Sequence, residues 1–425
     1  MKTRPASVRD CREMRRAICR ATLSFPGTLL AGVAGGIAFP ILPLAGLHAG
    51  LSLPFIGVIL AANRAVRVVS SPVVGALADR FGGRRTMLLG LLLNIGVMAQ
   101  YAIGIRTGLV GPLFLTGRLL HGLGSAAVFV SAQALALHAG GPSQGGRTAG
   151  TVRAAMVLGV PVGLTVGGLL SDRWGDAAAF EIAGAAVVLA LFAAWVRVPD
   201  LRAPIARRPP LVETIRAMTD RRLLAIGGIN FALSFAAGGM ILTTLALLVH
   251  SRHLAIFGRN EQGTAGLLMG VMCILDACAT PLAGRLGDRF HAHAQVASAG
   301  LFLLVPGLIV VGLAPGAWGF AGGLALIGLG AAGLGPSLLV MMGQIVPRER
   351  RGTGAGLLQF SGDIGGMLGP LVGTALFAGS ASIPYLATAA LVACFIPAAL
   401  WLAKRERSHC ELAAVEQPAV GRAGA

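Results

Sequence analysis

Five ionisable residues stand inside long apolar runs where solvent would not reach them. They are Arg64 and Arg67 in "AANRAVRVVSS", Arg118 in "RLLHGLGSAA", Asp276 in "CILDACAT" and Asp363 in "QFSGDIGG". A carboxyl group away from water tends to hold its proton, and a guanidinium brought near it drives the proton off. Two carboxyls and three arginines can therefore load and release protons when their spacing changes. Arg64, Arg67 and Ser71 follow i, i+3, i+7, so on a helix they share one face, with Asn63 and Ser70 beside it. An arginine at the centre of a bilayer costs about 2.5–3.5 kcal/mol even on lenient scales, so each of these groups requires a wet cavity or a partner.

The elements that carry them are transmembrane helices. Of 425 residues, 55% are apolar and only 12% charged, with a mean hydropathy of +0.77. Soluble domains carry about twice that charge. Apolar stretches long enough to span a bilayer recur along the whole chain. They are too long and continuous for barrel strands, which leaves helices as the structure that satisfies the backbone in hydrocarbon. The pattern predicts an all-α integral membrane protein of twelve spans: residues 22–46, 54–78, 86–105, 110–138, 150–170, 177–197, 223–249, 263–286, 293–314, 317–346, 353–378 and 382–403.

Charge orients them. The formal net charge is +18, but 28 of the 35 Lys and Arg residues fall in alternate connections, at the helix ends flanking them, or in the two termini. The opposite loops hold Arg106, Arg173, Arg252 and Arg259. This asymmetry predicts cytoplasmic termini and explains the basic charge without nucleic acid. The basic N-terminus then acts as a topology signal, not as a cleaved leader. None of the six cysteines falls in an outside loop, so no disulfide framework is implied. The eight histidines show no metal-ligand spacing, and His291 and His293 read as a solvated loop. No cofactor or metal is expected.

The chain repeats itself. Gly75, Asp79, Arg80 and Phe81 return 209 residues later as Gly284, Asp288, Arg289 and Phe290. Gly159, Gly163 and Gly167 return 206 residues later as Gly365, Gly369 and Gly373, with Pro370 beside the second. "HGLGSAA" at His121 matches "IGLGAAG" at Ile327 with the same offset of 206. Two six-helix, pseudo-symmetric bundles follow, covering residues 22–198 and 223–403. A cytoplasmic segment 1–21 precedes them, a linker 199–222 joins them with a short surface helix over 211–219, and a tail 404–425 ends the chain. Such repeats place a substrate site between the halves near the midplane.

"GALADRFGGRR", from Gly75 to Arg85, resembles the loop signature of the major facilitator superfamily. "RLLHGLGSAA" resembles the helix-4 signature of its proton-coupled members, with His121 where glutamine is commoner. "GVPVGLTVGG" partly resembles the antiporter signature of helix 5; the adjacent Gly-Pro pair occurs instead at Gly369–Pro370. The resemblance covers essentially the whole chain. It implies a plasma-membrane (cell inner membrane) transporter, monomeric and working by alternating access, whose partners are a small-molecule substrate, protons and the lipid bilayer. Proton coupling then falls to Asp276, Asp363 and Arg118, and the substrate cavity to Asn63, Arg64, Arg67, His121 and Asn230. Gly75, Asp79, Arg80, Gly284, Asp288 and Arg289 become gating turns. Asp79 would sit at the positive N-terminal end of the eleventh helix, near Gly352, and Asp288 at that of the fifth, near Gly150. Gly159, Gly163, Gly167, Gly365, Gly369, Pro370 and Gly373 would pack helices closely.

The first span carries no acid, and three arginines against two aspartates favour an anionic, zwitterionic or neutral amphipathic substrate over a simple cation. Proton-coupled export is the leading reading, and a proton-coupled uptake symporter for an organic anion is the alternative. A membrane enzyme would need a nucleophile, a metal cluster or a cofactor motif, and none is visible. A transport-inactive membrane sensor should lack the membrane charges or carry a soluble output domain.

Overall fold

The computed structural model describes residues 25–198, 220–346 and 351–416. They form helices α1 (Phe25–His48), α2 (Leu53–Phe81), α3 (Gly83–Thr107), α4 (Val110–Trp174), α5 (Asp176–Arg197), α6 (Arg221–Leu233), α7 (Leu242–Ser251), α8 (Glu261–Phe290), α9 (His293–Leu313), α10 (Ala317–Ile345), α11 (Arg351–Phe377), α12 (Ile383–Ala393) and α13 (Ile396–Glu416). Among the described residues there is no strand. Among the described residues, ten segments are long and apolar enough to cross a membrane. The second part of α4 and α11 are the remaining expected crossings. The linker helix expected over 211–219 lies outside the described residues.

Three elements differ from the sequence expectation. The fourth and fifth spans are joined by helical backbone into the single 65-residue α4. A straight helix of that length would run about 98 Å, several times the hydrocarbon core. Instead both arms lie on α1: Gly35 faces the His121 ring, and Gly36 faces Val160, Gly163 and Leu164. The run therefore folds back on itself, and the glycine-rich connection bends while keeping local backbone hydrogen bonds. The seventh span is interrupted by a π-helical segment, Ser234–Ile241, between α6 and α7. The twelfth breaks at Cys394–Phe395, where Pro397 falls in the first turn of α13, the place in a helix where proline costs no hydrogen bond. α13 then continues to Glu416, past the expected end of the span.

The chain separates into two compact units, Met1–Arg207 with Ala246–Gly270, and Arg208–Leu245 with Val271–Ala425. In the first, α1 packs mainly on α4 and α5, and α3 on α4 and α5. The spacing of Gly159, Gly163 and Gly167 puts all three on one face of α4. A methyl group on Gly159 would meet the backbone of Leu29, Gly32 and Val33; on Gly163, that of Val33 and Gly36; on Gly167, that of Ile37. In the second unit Gly365 and Gly369 of α11 do the same against Phe231, Phe235, Gly239 and Met240, and Gly373 lies against the side chains of Met240 and Thr244. The π-helical segment lies in this contact: Gly239 approaches the Cα of Gly369 and the ring of Pro370. A π turn realigns the backbone by one residue, and such turns recur at functional sites. Glu406 of α13 accepts the backbone N–H groups of His293 and Ala294 at 3.0 and 2.8 Å, satisfying donors that the start of α9 leaves open.

Candidate functional site

Arg118 lies eight residues into α4, about 12 Å from its start, and is 1% exposed. Its guanidinium sits 5.4 Å from the centre of the Phe39 ring of α1. Among the described residues, neither Nε nor Nη2 has a hydrogen-bond partner. The floor of the site is aromatic. The ring of Tyr101 of α3 packs against Gly117, where any side chain would collide with it, and meets Phe114 edge-on at 5.4 Å. Phe180 of α5 closes the cluster at 5.1 Å from Tyr101. The Tyr101 hydroxyl is also buried, with no hydrogen-bond partner among the described residues. A buried cation with open N–H groups beside an unpaired hydroxyl is a costly arrangement, and costly arrangements are kept where they do work.

One turn further along α4, His121 is buried and its Nδ1 lies 3.0 Å from Oδ1 of Asn94. The amide oxygen accepts, so Nδ1 carries the hydrogen and Nε2 faces α1 at Gly35 as an acceptor. His121 lies in the electrostatic field of both Arg118 and Arg67. Asn63, Arg64 and Arg67 are half-buried on α2. The backbone of Asn63 and the side chain of Val66 touch Gly122, which brings α2 against α4 at this depth. The Ser71 hydroxyl donates to the Arg67 carbonyl at 2.6 Å.

In the second unit Asp363 is 4% exposed on α11, and Gln359 one turn earlier donates to its Oδ2 at 3.0 Å. Asp276 is half-buried on α8 and accepts from Thr280 at 3.3 Å. Asn230, expected in the substrate cavity, donates to the Leu358 carbonyl at 2.7 Å and to Ser361 at 3.0 Å. It ties α6 to α11, so its amide is taken up by helix packing.

At the repeated turns, Gly75 is buried, while Arg80 is exposed and folds over Phe81 at 5.3 Å. Arg289 does the same over Phe290 at 5.7 Å, and Gly284 has open space around it. The side chain of Asp79 lies outside the described residues. Asp288 is exposed and pairs with His293 at 3.2 Å. Here one expectation is corrected. His293 is not a solvated loop residue but the buried first residue of α9, seated in the space that the absent side chain of Gly287 leaves. His291 is exposed, as a loop residue would be.

The sequence matches the profile of the Major Facilitator Superfamily over residues 24–262 and 229–420. The chain belongs to this superfamily. Its members are transporters, and the chain is a multi-pass membrane transporter of the major facilitator superfamily. It is 27% identical over 365 residues to the Escherichia coli multidrug resistance protein MdtG, covering 83% of this chain and 86% of that one. It is 24% identical over 324 residues to the Lactococcus lactis multidrug resistance efflux pump PmrA homologue, covering 72% and 74%. Two solved structures share the fold. The human organic anion transporter MFSD10 aligns with a TM-score of 0.65 at 20% identity over 91% of this chain and 99% of that one. A bacterial homologue of the human lysosomal transporter Spinster, inward-facing and unoccupied, aligns with a TM-score of 0.70 at 16% identity over 93% and 97%.

Within this superfamily member the sequence missed one constellation. His48 lies some two hundred residues before His250 and Glu261 in the chain, yet the ligating atoms of all three fall within 4.8 Å of one another. No local spacing rule could have found them, because each comes from a different helix end.

Proposed function

We propose that this chain is a proton-coupled exporter of small organic molecules, working by alternating access between two six-helix bundles in the plasma membrane, with both termini cytoplasmic. It acts as a monomer and carries out no covalent chemistry. The observation that carries the coupling is Arg118, a fully buried guanidinium with open N–H groups. Such a group holds a nearby carboxylate ionised when close and lets it take a proton when distant. Asp276, in the interior of α8, and Asp363, in the interior of α11, are the carboxyls proposed to answer to such a cation. The relatives, one named a multidrug resistance efflux pump homologue and the other a multidrug resistance protein, support export. With no acid in α1 and three arginines inside apolar runs, Arg64, Arg67 and Arg118, against the two aspartates Asp276 and Asp363, the preferred substrate is anionic, zwitterionic or neutral and amphipathic.

The test is transport in proteoliposomes against a panel of such metabolites, with and without a pH gradient. Wild type should respond to the gradient. Asp276→Asn or Asp363→Asn should remove that response while the protein still reconstitutes. Full gradient-driven transport in both variants would reject these carboxyls as proton carriers. Single cysteines placed at Arg173 and Arg259 should label from outside, and one placed at Arg208 from inside. The reverse pattern would overturn the topology.

A further inference from the structure

We propose that the ends of α1, α7 and α8 form a binding site for a divalent transition metal of the zinc class, with His48, His250 and Glu261 as ligands. Glu261 Oε2 lies 2.7 Å from His250 Nδ1 and 4.0 Å from His48 Nε2. The two imidazole rings meet edge to face with centroids 5.8 Å apart. In a tetrahedral zinc site, metal–ligand bonds of about 2.0–2.1 Å set the ligand atoms about 3.3 Å apart. His250 and Glu261 would have to open by roughly 0.6 Å and His48 to close by roughly 0.7 Å on this geometry, which side-chain rotation supplies. Two imidazoles and one carboxylate are a donor set for zinc and its neighbours, whereas magnesium and calcium require oxygen ligands throughout. Half the His48 side chain is exposed, which leaves a fourth position to water.

The scaffold around the three side chains is fixed independently of any metal. Asn260 caps α8, its Oδ1 accepting from the Gly263 N–H at 2.9 Å. Asp172, near the end of α4, accepts from the Asn260 N–H at 2.9 Å and from Arg259 at 3.1 Å. Gly168 and Gly266 bring α4 and α8 into backbone contact. Glu261, the first residue of α8, is thereby held in place. α1, which carries His48, is held by the glycine face of the same α4. Ligands on rigid elements lose little entropy on binding, and that makes a three-ligand site effective. A bound metal would tie the end of α1 to the ends of α7 and α8. The cluster is not needed for the coupling proposed above, so it is tested apart from transport.

The experiment uses the full chain in detergent, with any affinity tag removed, titrated with Zn2+ against a fluorescent chelator and with Co2+ by absorption. We expect one Zn2+ per chain. His48→Gln, His250→Gln and Glu261→Gln should each weaken it at least ten-fold, and Cys394→Ser should leave it unchanged. The Co2+ spectrum should lack a thiolate charge-transfer band. Unchanged affinity in the histidine variants, or a thiolate spectrum, would overturn the site. If the variants fold poorly, the electron spin resonance of Cu2+ on the wild-type protein decides. Two coupled imidazole nitrogens support the site, and none or one overturns it.

Discussion

Replacing Arg118 with methionine separates what this residue costs from what it does. Methionine keeps an unbranched apolar stem and removes the charge. A guanidinium near the middle of a span costs about 2.5–3.5 kcal/mol. Its contact with Phe39 returns at most about 2 kcal/mol in a desolvated setting. With Nε and Nη2 unpartnered, little further compensation is visible among the described residues. Methionine is smaller by three heavy atoms, and the space left costs on the order of 0.7 kcal/mol if about 30 Å³ stays empty. The balance is between zero and about 2 kcal/mol in favour of the variant, on those transfer and cavity terms. Arg118→Met should therefore unfold at the same or a higher temperature than wild type, yet lose the response of transport to a pH gradient. Thermal unfolding in detergent and flux in proteoliposomes, run on one preparation, measure both. A loss of more than about 2 kcal/mol would place Arg118 in a structural network of the kind whose disruption strands a buried partner. Full gradient-driven transport would remove it from coupling altogether. Either result refutes the reasoning, because it requires a residue that is expensive to keep and needed for work.

Two further predictions concern the scaffold. Gly163→Val forces α4 off the backbone of α1 and should lower stability by about 1–3 kcal/mol or more. Gly96→Ala, on a face of α3 with open space, should raise it by about 0.5–1 kcal/mol; denaturation midpoints of the two compared with wild type check the contrast, and equal effects would discard the packing argument. His291 holds a φ of +49°, a left-handed conformation that a side chain disfavours. His291→Gly should be neutral or stabilising by up to about 1 kcal/mol, and a clear loss would mean that the imidazole makes a contact worth more than the strain.

The spans were legible because a bilayer leaves the chain few options: length, apolarity and satisfied backbone groups all coincide. The glycine faces were legible for a related reason, since a residue repeated every four positions lies on one side of a helix whatever it touches. The π-helical segment was not. "SFAAGGMI" reads as uniform apolar helix, and hydropathy carries nothing about which carbonyl each N–H selects. His48, His250 and Glu261 were hidden because ligands from three helix ends leave no spacing in the sequence. His293 was misread because its burial depends on Gly287 making room and on Glu406, more than a hundred residues away, capping its helix.

The duplication shows where such information resides. The offset of 209 that aligns Asp79 with Asp288 also aligns Gly82 with His291. Gly82 ends α2 with a φ of +93°, and His291 follows α8 with a φ of +49°. Both copies thus turn from one helix into the next through a residue of positive φ, although only the first has the glycine that makes it easy. In the second copy the turn is held by tertiary contacts: the Ala292 N–H bonds to the Gly287 carbonyl at 3.0 Å, His293 fills the space beside Gly287, and Asp288 reaches His293. A glycine written at the first turn announces the geometry by itself. At the second, a positive φ is set by neighbours, and only the repeat connects the two.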